Sequence, residues 1–187
     1  ANGQTVVLPG TLPKDKVKWV PTEIRGRSQF GQVQSIVEAS PYRFSPTCPW
    51  NDTCGGCDMA HLNRADRGTL LTEVALRTLR FSGPIAWHSS PKECHHRARI
   101  KLGVHNQKLG YRRAGSHAIS PIDHCGIARK EINEGLQALR QIISTAPPVQ
   151  DIEIRTDGQK VAFDLWCKNR PPNSTLKVFE PLGNVSC

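Results

Sequence analysis

The chain has 187 residues, of which 37% are hydrophobic and 22% charged, a balance that suits globular protein and excludes disordered and collagen-like classes. Twenty-five Lys and Arg against 16 Asp and Glu leave a net charge of +9, which points to a polyanionic partner, nucleic acid ahead of an anionic membrane. No run approaches the roughly 20 apolar residues of a membrane helix, and Ala1 to Gly10 lack the order of a signal peptide. The seven cysteines are an odd number without a secretory leader, so a reducing, cytoplasmic setting is expected, with thiols that bind metal or stay unoxidised and with no membrane partner. The chain lacks an initiator Met and opens inside what reads as a strand, so it is expected to be a trimmed piece of a longer protein.

In chain order, residues 1–45 read as short strands broken by turns: Thr5 to Leu8, then Pro9 and Gly10, then Val17 to Val20, then Gln32 to Val37 beyond Gly26 and Gly31. This predicts a small β-barrel. Pro41, Pro46 and Pro49 lead out of it and into a cluster of cysteines. Asn63, with Asp66 three residues on, caps a predicted helix over 64–80, whose apolar or small residues are Leu70, Leu71, Val74, Ala75, Thr78 and Leu79, and which Gly83 and Pro84 stop. Ala98, Ile100, Leu102 and Val104 then alternate with Arg97, Arg99, Lys101 and Gly103, and after a polar turn at His105 to Lys108 the chain returns through Leu109 and Tyr111 as a β-hairpin. Ile132, Leu136, Leu139 and Ile143 predict a second helix ended by Pro147 and Pro148. A second hairpin follows, with Ile152 and Ile154, the turn Asp157-Gly158, and alternating Val161, Phe163, Leu165 and Cys167. The expected class is α+β: a barrel over 1–45, then over 46–187 an antiparallel sheet with helices.

Cys48, Cys54 and Cys57 have the spacing C-x5-C-x2-C, with Gly55 and Gly56 letting the backbone fold tightly around a centre. Three thiolates on one loop need a fourth, and Cys125, bracketed by Pro121 and Gly126 just before a helix, suits that role better than Cys94, Cys167 or Cys187. Cys167 falls on the apolar phase of its strand and reads as a buried thiol. Structural zinc usually draws ligands as two close pairs, whereas three clustered thiolates plus a distant one are common in cubane iron–sulfur sites. Spacing alone leaves iron–sulfur, zinc and unligated thiols open.

Between Lys92 and Arg113 the cations Arg97, Arg99, Lys101, Lys108, Arg112 and Arg113 face a single acid, Glu93. Strand alternation projects Arg97, Arg99 and Lys101 from one face at intervals of about 7 Å, near the phosphate spacing of a single RNA strand. Tyr111 and the histidines His95, His96 and His105 add candidate stacking groups. The plainer reading is a solvated sheet face with a core tyrosine.

Several stretches resemble, in order, the ribosomal RNA (uracil-5-)-methyltransferases that carry a [4Fe-4S] cluster. They are Thr47-Cys48-Pro49 through Cys54-Gly55-Gly56-Cys57, the run His95 to Lys101, the run Leu109 to Ser116, and Ile122-Asp123-His124-Cys125. The resemblance implies a [4Fe-4S] cluster on Cys48, Cys54, Cys57 and Cys125, a ribosomal RNA partner, and a first segment that is part of a TRAM domain, an OB-like RNA-binding barrel matched by Thr5 to Gly10 and Gln32 to Arg43. Cys94 departs from the family, which tends to an aromatic residue there. In the family, the nucleophile and S-adenosylmethionine pocket lie in a C-terminal Rossmann-like domain; this chain has no G-x-G, so no catalytic residue is assigned and these residues are expected to be inactive alone. The helix over 64–80 lies against that domain in the family, so self-association through its apolar stripe is expected here. The competing expectations are a natural short homologue that binds RNA without catalysis and a small electron carrier.

Overall fold

A computed structural model describes residues 5–146, 148–169, 177–182 and 184–186, which form two compact units. One runs through Thr47 and takes in Asp58–Ser89; the other combines Cys48–Cys57 with Ser90 onward. Among the described residues no helix is long and apolar enough to cross a membrane.

In the first unit, β1 (Thr5–Val7), β2 (Lys16–Arg25) and β3 (Ser28–Glu38) form a three-stranded sheet in the order β1-β3-β2. β2 and β3 are a long hairpin turning on Gly26 at φ +58°, a left-handed conformation that glycine enters without a Cβ clash, and β1 runs parallel to β3. Only these three strands of the expected barrel are present among the described residues. A bridge between Arg43 and Leu62 brings in the second segment of the unit. It leads to α1 (Arg64–Leu79), where Asn63 Oδ1 accepts from Ala65 N at 3.2 Å as the predicted N-cap. The helix ends earlier than Gly83, because Arg80 turns left-handed and its N–H closes the last turn.

The second unit is a six-stranded sheet. Its strands are β4 (Arg99–His105), β5 (Lys108–Arg112), β6 (Ile119–Pro121), β7 (Asp151–Thr156), β8 (Val161–Trp166) and β9 (Asn184–Ser186), in the order β6-β5-β4-β7-β8-β9. All pairings are antiparallel except β8 with β9. The turn between β4 and β5 has two residues, Asn106 and Gln107, both at positive φ, the geometry that lets a tight turn follow the strand twist. α2 (Lys130–Ile142) lays Ile132, Leu136 and Leu139 on one sheet face, where they meet Ile100, Leu102, Ile152, Ile154, Phe163 and Leu165 in a single core. α2 ends at Ile142, before the stop expected at Pro147 and Pro148; of that pair Pro147 lies outside the described residues, as does Cys187. Strand alternation turns Arg99, Lys101, Glu153, Asp164 and Trp166 to the opposite face.

Candidate functional site

Loop 48–57 is folded by its own backbone and pinned to the sheet. Cys54 N donates to Trp50 O at 2.7 Å, Gly55 N to Arg112 O at 3.0 Å, and the hydroxyls of Thr53 and Ser120 meet at 2.8 Å. Gly55 passes so close to β5 that a Cβ there would stand 2.5 Å from the Arg112 carbonyl oxygen, so only glycine fits. Gly56 N donates to Cys54 Sγ at 3.3 Å, and the Gly56 carbonyl accepts from Arg97 Nη1 at the same distance.

The distant cysteine is held as firmly. Asn133, on the first turn of α2, accepts from Cys125 N at 2.7 Å and donates to Cys125 O at 3.1 Å, while Tyr111 Oη donates to Cys125 Sγ at 3.8 Å. Trp50 from the cysteine loop stands edge-on to His124, ring centroids 4.7 Å apart. Cys54 and Cys125 are half-buried against the core, and Cys48 and Cys57 are exposed. Burial pushes the Cys54 thiol above its ordinary range, and proximity to Cys57, Cys125 and Cys48 adds to the rise. Cys57, Cys125 and Cys48 thus lie close enough to Cys54 for their charges to act on it. Even so, among the described residues no group of three or more His, Cys, Asp or Glu stands where it could hold a single metal ion. Cys94 is exposed, and Cys167 packs half-buried beside the core, as its strand phase predicts.

The cationic face differs from the array expected. Tyr111 is 8% exposed, with burial and then Cys125 pushing its hydroxyl well above the ordinary range, so its ring belongs to the core rather than to a stacking surface. Arg97 precedes β4 and turns its guanidinium to the cysteine loop. Arg99 Nε pairs with Glu153 at 2.7 Å, and Arg112 Nη2 with Asp151 at 2.8 Å. Lys101 Nζ is 3.8 Å from Asp151 and 4.2 Å from the centroid of the Trp166 ring. Lys108 and Arg113 are exposed. Acids from β7 thus interleave with the cations of β4 and β5, because register sets Lys101 opposite Glu153 and Gly103 opposite Asp151. The sequence displayed these acids, but their pairing is non-local. Asn133 gives little sign of its role in the sequence, which shows only an amide eight residues after Cys125 at the start of an amphipathic helix.

No family model matches the chain. It is 31% identical over 146 residues to the 23S rRNA (uracil(1939)-C(5))-methyltransferase RlmD of Shewanella amazonensis, covering 71% of this chain and 32% of that protein. The same enzyme of Dichelobacter nodosus is 30% identical over 171 residues, covering 86% of this chain and 40% of that protein. The fold is shared with the Pyrococcus abyssi tRNA (uracil-54, C5)-methyltransferase, solved with S-adenosyl-L-homocysteine, at a TM-score of 0.70 and 21% identity over 93% of this chain and 44% of that one. The chain spans 32% and 40% of the length of these two curated relatives, which methylate RNA at uracil C5, and its α+β fold matches 44% of the Pyrococcus abyssi enzyme.

Proposed function

We propose that the chain is the RNA-binding, [4Fe-4S]-carrying portion of an S-adenosylmethionine-dependent 23S rRNA (uracil-5-)-methyltransferase that works in the cytoplasm. The observation that carries the reading is the similarity to two ribosomal RNA uracil-C5 methyltransferases over 71% and 86% of the chain, joined to the cysteine site. In that reading Cys48, Cys54 and Cys57 on one loop, and Cys125 beside α2, hold the cluster. A single zinc ion would draw its thiolates to about 2.3 Å from one point. A cubane takes one thiolate on each of four irons, which suits sulfurs spread around a wider cage. N–H donation from Gly56 to Cys54 Sγ and O–H donation from Tyr111 to Cys125 Sγ both favour sulfur carrying negative charge.

When bound, the cluster supplies a cross-link between the cysteine loop and the start of α2; transfer of a methyl group to uracil C5 needs no electron. The residues of this chain bind and position RNA rather than react with it. Arg112 and Arg113, at the end of β5 and just beyond it, lie next to the anchored cysteine loop, Lys108 stands at the other end of β5, and Arg99 and Lys101 continue the face across β4. Val74 and Leu79 of α1 are 45% and 69% exposed, so α1 is also proposed as a self-association surface. Sedimentation at rising concentration checks this, with a mass that stays at one chain arguing against it.

Protein purified without oxygen is expected to hold about four irons and four sulfides per chain. Ala at Cys48, Cys54, Cys57 or Cys125 should abolish the iron, and Cys167→Ala should keep it. Asn133→Ala should lower iron occupancy by freeing the Cys125 backbone, and should cost about 1–3 kcal/mol of stability through the polar groups it strands. Stoichiometric zinc with no iron would refute the assignment.

A further inference from the structure

Glu153 lies mid-strand on β7, on the sheet face away from α2, with a side chain only 5% exposed. Its Oε1 accepts from Arg99 Nε at 2.7 Å, whereas Oε2 is sealed from solvent and has no hydrogen-bond partner among the described residues. A buried carboxylate oxygen without a donor is costly, and a ligand that supplies one gains what the fold has left unmade. Glu153 lies at the floor of a cleft of about 620 Å³, walled by Arg99, Arg155, Asp164 and Trp166. Asp164 is already engaged, accepting from Arg155 Nη2 at 2.9 Å and from the Ser186 hydroxyl. The side chains of Arg99 and Arg155 are 71% and 54% exposed, and each guanidinium has N–H groups beyond the one bonded to Glu153 or Asp164 to offer a ligand. Trp166, 40% exposed, adds an aromatic surface, one face of which already carries Lys101 Nζ at 4.2 Å from the ring centroid and leaves the other to a ligand.

We infer that this cleft binds an unpaired nucleobase bearing an exocyclic amino group. The amino N–H donates to Glu153 Oε2, the base lies against Trp166, and the adjoining phosphate meets Arg99 and Arg155. Adenine, cytosine and guanine all offer such an amine. Uracil does not, because its ring N–H sits between two carbonyl oxygens that would face the carboxylate. The cleft therefore reads a base other than the uracil that is modified, a reading that rests on RNA being the partner.

Fluorescence anisotropy with short homo-oligomers of A, C and U tests it. The chain is expected to bind oligo(A) and oligo(C) about ten-fold more tightly than oligo(U), the scale of one hydrogen bond to a charged acceptor. Glu153→Gln, which keeps the shape but exchanges the acceptor for an N–H₂ donor, should erase that preference or turn it toward oligo(U). Trp166→Ala, at an exposed position, should weaken oligo(A) and oligo(C) by roughly ten-fold through lost stacking. Equal affinity for the three oligomers, or a preference unchanged in Glu153→Gln, overturns the base-reading site and leaves RNA binding standing. Failure to bind any of them at low salt removes the RNA reading and this inference together. A Glu153-dependent grip on a lysine peptide, alongside base-indifferent RNA binding, would give the cleft to a protein partner instead.

Discussion

Asp15 shows how a single carboxylate ties the first unit together. Its side chain is 1% exposed, and it accepts from Leu12 N at 2.7 Å, Ser40 N at 2.8 Å and Arg43 Nε at 3.1 Å, with Arg43 Nη2 closer still. Burial by itself would raise its pKa, but Arg43 and the two backbone donors outweigh burial and bring it down to about 2. A carboxylate held below its unfolded value near 3.9 adds stability above that pH and loses it as pH falls toward 2, a contribution on the order of 2 kcal/mol when complete. Acid titration followed by circular dichroism should therefore show the first unit weakening between about pH 4 and pH 2. Asp15→Asn should be less stable at neutral pH and should lack that part of the acid response. An acid profile identical to the parent would remove Asp15 from the account. His61, also in this unit, is pulled below its ordinary range by burial and then by Arg43.

Helix α2 and both hairpins of the larger unit were legible in the sequence because their apolar residues recur at the spacings backbone geometry demands. Ile132, Leu136 and Leu139 share a helix stripe, and Ile152 and Ile154 alternate across a strand. The chain was silent where an element is too short to have a period: β6 and β9 have three residues each and exist through their partners Tyr111 and Phe163. It was silent also about pairing, which is why the cations of β4 read as an open array and Tyr111 as a stacking ring. Leu109 and Tyr111 share a phase in β5, so the buried placement follows from the alternation once the sheet is assembled. At the β4–β5 turn the sequence departs from what the geometry favours. Gln107 holds φ +62°, which costs a non-glycine residue roughly 1 kcal/mol. Gln107→Gly is expected to stabilise the chain by about that amount, read as a higher denaturation midpoint, provided φ stays positive there. A lower midpoint would mean that the Gln side chain contributes something the turn conformation does not reveal.

Across the whole molecule the net charge of +9 is less freely available than the composition suggests. Arg99, Lys101, Arg112 and Arg155 already face Glu153, Asp151 and Asp164, so each must exchange a carboxylate for a phosphate before it releases a counterion. Lys108 and Arg113 have no such exchange to make in any ion pair described. Replacing both with Gln should flatten the dependence of log K on log salt by about 1.4, at roughly 0.7 per single-strand phosphate. The same change at Arg99 and Lys101 should flatten it by less. If the second pair proves the larger, the carboxylates do not compete with phosphate as the ion pairs imply.

The same chain also enters, leaves and re-enters its second unit, since Cys48–Cys57 belong with Ser90 onward while Asp58–Ser89 belong with the opening strands. Backbone bonds enforce the intervening return to the first unit: Phe44 N donates to His61 O at 2.8 Å, and Asn63 N to Tyr42 O at the same distance. Inheritance is constrained by this connectivity. A recombination break at residue 47 would part Tyr42 and Phe44 from the segment that completes their unit, and a break at residue 57 would part three cysteines from the fourth. Neither half could be exchanged with another gene by a single crossover, so the opening strands and the cysteine loop are bound to travel together.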